Sequence, residues 1–266
     1  MSGLRLAIGT FTVVPAGRPA RVDRAAARTA MLLAPLIGVI LGAGAALILW
    51  AVRSGTGAAY GNLLGAALAI GFLAYATRAL HLDGLADTAD ALGSGRRGDA
   101  ALDIARRGDV GPFGVATLVL VLVIDVASLA SAASAHHGTV AIVVAVATGR
   151  LAATWACARG IPAARPDGLG AMVAGTVPRI AALAWTVALL GLAVGLAWLD
   201  DDPTLRAVLA APVAIVVALA VAMLLVRRAV RRLGGITGDV LGAAVEAATV
   251  ACLVAYAIGL GATVGA

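Results

Sequence analysis

Charged residues are scarce in this sequence. Aspartate, glutamate, lysine and arginine make up 13% of its 266 residues, and lysine is absent. A soluble domain carries roughly twice that charged fraction, so we expect no separate soluble domain. Cysteine is also rare. Cys157 and Cys252 lie in apolar stretches without metal-ligand or redox spacing, and we expect two buried free thiols.

Apolar residues fill most of the rest, at 62% of the chain. Uncharged runs of about 20 residues recur, and each is long enough to cross a bilayer as a helix. Backbone groups in lipid must pair within the segment, which favours helices. We therefore predict an all-α, polytopic membrane bundle, with residues 1–266 as a single membrane-embedded domain. The seven predicted spans are 30–52, 58–77, 112–135, 139–158, 180–199, 207–226 and 240–260.

The arginines predict how the bundle is oriented. All but Arg53, Arg150 and Arg206 lie before the first span or in the segments after the second, fourth and sixth spans. Such an excess belongs in the cytoplasm, so the N-terminus is expected inside and the C-terminus outside, in a multi-pass protein of the cell inner membrane. The net charge of +6 is then explained by orientation and by contact with anionic lipid or phosphate, and we expect no nucleic acid partner.

Three aspartates gather in "HLDGLADTAD" at the end of the second span. Asp83, Asp87 and Asp90 are spaced i, i+4, i+7 and share one face if the helix continues. Like charges at this spacing repel one another, so a divalent cation is expected to neutralise them. Mg²⁺ typically takes one or two carboxylates and completes its shell with water and substrate phosphate. The alternative is a solvated acidic helix face.

Two loops on the same predicted side are typical of phosphate binding. "RRGDVGPFG" at residues 106–114 contains arginines that can pair with phosphate oxygens and glycines that allow close approach. "RPDGLGAMVAGT" at residues 165–176 is a second glycine-rich loop with an arginine. Each could equally be an ordinary cytoplasmic loop with turn glycines. The candidate binding residues here are Arg106, Arg107, Asp109, Gly111, Arg165 and Gly168.

A third segment, "RRLGGITGDVLGAAVE", leads into the last span. It supplies Gly234 and Thr237 as candidate binding residues. Asp239 begins the span, and Glu246 follows seven residues later on the same face, roughly 9 Å into the apolar layer. An acid inside a membrane is costly and suggests function, although a structural polar contact would also explain it.

The remaining buried charges are Asp125 and Arg150, near the middle of the third and fourth spans. They are expected to form a direct ion pair, and the alternative is that Arg150 binds substrate. His136 and His137 lie in a short loop on the opposite side from the acids and are expected to be solvated. His81 should point away from the acidic face on a regular helix.

Several of these motifs together resemble the cobalamin synthase (adenosylcobinamide-GDP ribazoletransferase) family. "HLDGLADTADALG" is the most specific match, and "ARPDGLG", "GGITGDVLGAAVE", "FTVVP" and "APLIG" match further blocks, so the resemblance covers nearly the whole chain. "IARRGDVGPFG" departs from the family pattern. Arg107 stands where an aspartate is common, and Asp109 stands where an arginine is common, which makes Asp109 a weaker candidate ligand.

The resemblance implies a late step of cobalamin biosynthesis. A hydroxyl of α-ribazole, or of α-ribazole 5′-phosphate, attacks adenosylcobinamide-GDP and releases GMP with Mg²⁺ as cofactor. In this reaction Asp83, Asp87 and Asp90 would hold the metal, and Asp239 and Glu246 would be further ligands or the base. A homo-oligomer is left open.

Two other function classes remain at this stage. A CDP-alcohol phosphotransferase of lipid synthesis also has clustered aspartates, but Asp87 stands where its motif has arginine. A small secondary transporter could use Asp125, Arg150 and Glu246, but the interfacial position of the acids argues against it.

The arginine distribution generates a topology prediction. A reporter that is active only in the cytoplasm should work when fused after Gly98 or Arg179, and should fail after Gly138 or the C-terminus. A cytoplasmic C-terminus would mean that the number of spans is wrong.

Overall fold

A computed structural model describes residues 2–17, 19–200 and 203–261. These residues form eleven helices: α1 (Ser2–Phe11), α2 (Arg24–Thr56), α3 (Ala58–Ala76), α4 (Leu80–Gly93), α5 (Asp99–Ala105), α6 (Pro112–Ser134), α7 (Gly138–Ala156), α8 (Gly168–Val173), α9 (Arg179–Trp198), α10 (Leu205–Leu233) and α11 (Gly238–Leu260). The expected all-α architecture is confirmed. Arg18 and the C-terminal residues 262–266, which enter the orientation argument, lie outside the described residues.

Each predicted span corresponds to a helix. Among the described residues, six helices are long and apolar enough to cross a membrane: α2, α6, α7, α9, α10 and α11. The helix α3 qualifies only together with α4, and these two meet at an angle of 88°. The chain is therefore a polytopic membrane protein with six spans, or seven if the bent pair is one span. Which side faces the cytoplasm stays a prediction.

The helix α7 lies at the centre of the bundle. In the most apolar 18-residue stretch of α7, 83% of the residues are buried, whereas the value for α6 is 17%. The helix α7 packs against α2, α6, α9, α10 and α11. The outer helices present much of their apolar surface to lipid. Cys157 and Cys252 are buried free thiols, as expected.

Glycines allow α2 and α7 to pack backbone against backbone. A Cβ added at Gly38 would lie 2.8 Å from the Cα of Ala147, and one at Gly42 would lie 2.8 Å from the Cα of Val143. Gly38 and Gly42 therefore serve close contact between the two helices, as small residues commonly do between membrane helices.

Four shorter helices, α1, α4, α5 and α8, complete the structure. The helix α4 packs against α6 and α11, α5 against α4 and α10, and α8 against α2 and α11. These contacts build the region in which the acidic motif and two of the glycine-rich loops meet.

The contact between α2 and α7 makes a paired substitution informative. Gly42→Ala should lower the melting temperature in detergent, because overpacking against a backbone costs about 1–3 kcal/mol. Gly71→Ala in α3 is the matched control: a Cβ there meets no atom within 4 Å, and alanine is the better helix former. Equal melting temperatures for the two variants would contradict this account.

Candidate active site

The second predicted span does not continue through the acidic motif. The helix α3 ends at Ala76, and the chain turns by 88° before α4 begins at Leu80. Within the turn, Arg78 and Ala79 adopt left-handed backbone conformations with φ of 56° and 52°. The Arg78 guanidinium donates to the carbonyl of Gly9 at 2.8 Å, which fastens the turn to α1. The acids therefore lie on a separate short helix, which corrects the assumption of a continuous one.

The three acids of α4 differ in exposure. Asp83 is exposed, Asp87 is half-buried, and Asp90 is 6% exposed. Their spacing places them along one side of the helix, from solvent toward the protein interior.

Asp90 at the inner end has a defined structural role. Its two carboxylate oxygens accept backbone N–H groups from Gly111 at 2.8 Å and from Gly114 at 3.0 Å. These donors belong to the first turn of α6, where backbone N–H groups lack partners within the helix. A Cβ on Gly111 or Gly114 would collide with the Asp90 carboxylate. Asp90 therefore caps α6, and Gly111 serves this cap. Whether Asp90 also binds metal stays a prediction.

The outer two acids meet a third from α11. A Cβ on Gly84 would lie 2.8 Å from the carbonyl oxygen of Asp239, and one on Gly242 would lie 3.1 Å from the Cα of His81. The backbones of α4 and α11 therefore approach closely, and Asp239 lies beside the acids of α4.

The electrostatics of Asp87 reflect this proximity. Burial raises the pKa of Asp87 to about 6, and the neighbouring aspartates, Asp83 first and Asp239 second, add to the shift. The site thus concentrates negative charge, and a cation would relieve the repulsion.

Asp239 also belongs to a cavity of about 300 Å³ beside the acids. Arg106 and Arg165 supply positive charge to its walls, and α8 and the start of α11 supply backbone. Thr237 donates to the Asp239 carboxylate at 3.2 Å and accepts the N–H of Val240, so it caps α11. Carboxylate, guanidinium and backbone thus meet in a space suited to a phosphorylated ligand.

The glycines of two glycine-rich loops, Gly168 and Gly234, have different relations to the cavity. Gly168 lines the cavity with a left-handed φ of 76°. Gly234 ends α10 with a left-handed φ of 87°, and nothing lies within 4 Å of a Cβ there. The close approach expected of Gly234 instead belongs to its neighbour Gly235, where a Cβ would collide with the backbone of Ala163 and Ala164.

The loop between α5 and α6 reaches the cavity through one residue. Arg106 lines it, and its Nη1 lies 3.9 Å from Asp103 in an exposed ion pair. Arg107 and Asp109 are exposed, and neither lines the cavity.

Asp167 was missed by the sequence analysis although it stands in the quoted loop "RPDGLG". It lines the cavity at the start of α8, and its side chain makes no capping hydrogen bond there. Its position in the matching block between Arg165 and Gly168 was the available signal.

Glu246 does not line this cavity. It lies deeper in the bundle with Asp125 and Arg150, around a separate space of about 20 Å³, enough for about one water molecule. The expected ion pair between Asp125 and Arg150 is wrong. No oxygen of Asp125 lies within 4 Å of an Arg150 nitrogen, and Asp125 Oδ1 and Arg150 Nε have no hydrogen-bond partner. The two helices place these side chains around a shared space instead of in contact.

One of the three histidines, His137, differs from expectation. His137 is 3% exposed, and its Nδ1 lies 2.7 Å from an oxygen of Asp200, so it is not solvated. His136 is exposed, as expected. His81 is buried and stacks on Phe11 with ring centroids 5.8 Å apart. Burial, followed by the charge of Arg150, holds the pKa of His81 well below its usual range.

The fold and the site together define a polytopic helical membrane protein with an acidic site and an arginine-lined cavity beside it. Comparison with known proteins gives the family. The model of the cobalamin-5-phosphate synthase family matches residues 3–257.

Curated relatives named adenosylcobinamide-GDP ribazoletransferase agree with this match. The protein from Frankia casuarinae is 46% identical over 217 residues, which is 77% of this chain and 78% of the relative. The protein from Nocardioides sp. is 42% identical over 65% of this chain and 73% of its own length. The protein from Bradyrhizobium diazoefficiens is 37% identical over 74% of this chain and 74% of its own length. No solved structure gives a significant match.

The chain belongs to the cobalamin-5-phosphate synthase family. It is a transferase of cobalamin biosynthesis, as the resemblance implied.

The cap made by Asp90 generates a stability prediction. Asp90→Ala should destabilise the folded protein by about 1–2 kcal/mol, because two N–H groups at the start of α6 lose their acceptor. Thermal unfolding in detergent without added metal measures this effect. Asp99→Ala, an exposed acid at the start of α5, is the control. A stability of Asp90→Ala equal to that of the control would contradict the capping role.

Proposed function

We propose that the protein joins adenosylcobinamide-GDP to α-ribazole or α-ribazole 5′-phosphate at the cytoplasmic membrane face. The hydroxyl oxygen of the ribazole forms a new bond to the phosphorus that carries the corrinoid side chain. The bond from that phosphorus to the oxygen of the GMP phosphate breaks, GMP leaves as the anion, and the proton of the hydroxyl passes to water. The observation that carries the proposal is the meeting of Asp83, Asp87 and Asp239 beside a cavity lined by Arg106 and Arg165.

The residues present fit a magnesium ion held jointly with substrate. Carboxylate oxygens are the ligands that Mg²⁺ prefers, and it usually keeps water and phosphate in its shell. Within the described ranges, no three His, Cys, Asp or Glu side chains converge into a complete metal site. Asp83 and Asp87, with Asp239 opposite, would therefore hold the ion together with diphosphate oxygens. When bound, the ion supplies charge neutralisation on the leaving diphosphate oxygen.

The protein's own residues then position the two substrates. Arg106 and Arg165 pair with phosphate oxygens and lower the charge that opposes attack. Arg165 is held in place because its guanidinium donates to the carbonyl of Leu102 at 2.6 Å. Gly168 leaves room for the diphosphate to approach the backbone of α8. This arrangement suits phosphoryl transfer, which depends on positioning and electrostatic stabilisation.

Separate substitutions of the two outer acids test the proposal. Asp83→Asn and Asp87→Asn keep side-chain size and remove charge, so each should lower Mg²⁺-dependent GMP release from adenosylcobinamide-GDP in liposomes by at least about 100-fold. Raising Mg²⁺ should partly restore a variant that mainly loses metal affinity. Because the two acids act as a unit, the double variant should be little worse than either single variant.

Asp99→Asn serves as the matched control, since this acid is exposed on the adjacent helix α5 and does not line the cavity. Full activity of both Asp83→Asn and Asp87→Asn at limiting Mg²⁺ would contradict the proposal. Normal insertion and melting temperature of the variants must accompany the loss, because Asp83 and Asp87 lie on the outer part of the acidic face and should not be needed for folding.

A further inference from the structure

A second and larger cavity lies between α7, α9 and α10. Its volume is about 630 Å³, and it is separate from the cavity that contains Asp239. Its lining includes the side chains of Arg159, Arg179, Arg227, Arg231, Trp155 and Met223. We refer to it as the arginine groove.

The arginine groove carries four positive charges and no carboxylate. Arg159 lies in the loop after α7, Arg179 is the first residue of α9, and Arg227 and Arg231 lie one turn apart on α10. Within the described part of the chain, none of the four forms an ion pair. The Arg179 Nε donates to the backbone carbonyl of Arg159 at 3.1 Å, which holds the Arg179 side chain against the start of the loop after α7.

The deeper wall of the groove is apolar. Trp155 and Met223 are half-buried and Val226 is buried. The indole N–H of Trp155 donates to Thr186 at 3.0 Å, so the ring is fixed against α9. Helices α9 and α10 are among the least buried of the spans, so the apolar wall is continuous with surface that faces lipid.

We propose that the arginine groove binds an anionic phospholipid. Guanidinium groups pair with phosphate oxygens through two parallel hydrogen bonds, and basic pockets between membrane helices bind anionic head groups. The phosphate would lie among the arginines, and an acyl chain would lie along Trp155 and Met223. A soluble phosphate would use only the charged rim, whereas a phospholipid matches both the charge and the apolar wall.

The segment that forms one wall of the groove also leads to the candidate active site. Ala158 pairs with Val177, and Ala163 pairs with Ile236, so residues 158–163 are held at both ends. The chain then continues directly to Arg165 and Asp167, which line the active-site cavity. Lipid in the groove would therefore hold in place the segment that positions Arg165.

The native tryptophan in the groove provides a direct binding assay. The chain has four tryptophans, so replacing Trp50, Trp185 and Trp198 with Phe leaves Trp155 as the only indole. This protein is placed in two sets of phosphatidylcholine liposomes. One set contains phosphatidylglycerol with brominated acyl chains, and the other contains the same small mole fraction of phosphatidylcholine with brominated acyl chains. The phosphatidylglycerol should quench Trp155 more strongly and should saturate at a lower mole fraction.

Substitution of the α10 arginines tests the charge requirement. Arg227→Gln with Arg231→Gln should raise the mole fraction of phosphatidylglycerol at half-maximal quenching by at least about fivefold, the effect expected from losing one or more arginines at an anionic surface. Arg228→Gln is the matched control, because Arg228 is exposed at the same end of α10 but does not line the groove. It should leave the quenching curve little changed.

Native mass spectrometry of the protein with all four tryptophans gives an independent measurement. Phosphatidylglycerol should be retained in preference to phosphatidylcholine, and the Arg227→Gln, Arg231→Gln protein should lose this preference. Equal quenching by the two lipids, or an unchanged curve for the double variant, would overturn the proposal. So would displacement of phosphatidylglycerol by millimolar inorganic phosphate, which would make the groove a site for soluble phosphate.

Discussion

The close contact between α4 and α11 is the constraint on which the candidate site depends. Gly84 and Gly242 allow the two helix backbones to approach, because a Cβ at Gly84 would collide with the backbone of Asp239 and one at Gly242 would lie only 3.1 Å from the Cα of His81. This contact places the outer acids of α4 beside Asp239. The repulsion among these carboxylates opposes folding, and a bound cation would relieve it. The same two glycines therefore allow both the packing of the two helices and the close approach of the carboxylates.

Arginines hold the surrounding loops in place by bonding to backbone carbonyls. Arg24 donates to the carbonyls of Ala171 and Ala174 and thereby fastens α8 to α2. Arg165 binds the last turn of α5 in the same way, and Arg232 donates to the carbonyl of Arg96 at 3.0 Å. In a chain without lysine, the planar guanidinium can satisfy loop carbonyls and still present further donors to a ligand. The arginines on which the predicted orientation depends therefore include several that hold the loops around the site in place.

The polar residues inside the bundle form a different kind of cluster. The cluster consists of Asp125 on α6, Arg150 on α7 and Glu246 on α11. These side chains surround a space large enough for about one water molecule. Unpaired polar atoms are costly in an apolar interior, so a water molecule shared among the three side chains would be stabilising. The cluster lies below α4, since Thr77 and Leu82 also line the space. It thus connects three spans directly beneath the helix that carries the acids.

The sequence by itself determined the spans, the family and most of the residues around the site. Hydropathy is a local property, so each apolar run predicts its own helix. The blocks "HLDGLADTADALG", "ARPDGLG" and "GGITGDVLGAAVE" are contiguous, so they can be identified without knowing the fold. Asp83, Asp87, Asp239 and Arg165 were all found in this way. The tertiary structure placed them around one region.

Only the tertiary structure decided which partner each polar group has. Asp90 caps a helix 21 residues away, and His137 binds an aspartate 63 residues away. Asp125 and Arg150 do not pair although they lie on consecutive spans, because the helices leave a space between the two side chains that Glu246 of a third helix also lines. The 88° turn after α3 and the arginine groove likewise depend on contacts between distant segments. Such contacts have no local signal in the sequence, because they arise from the packing of whole helices.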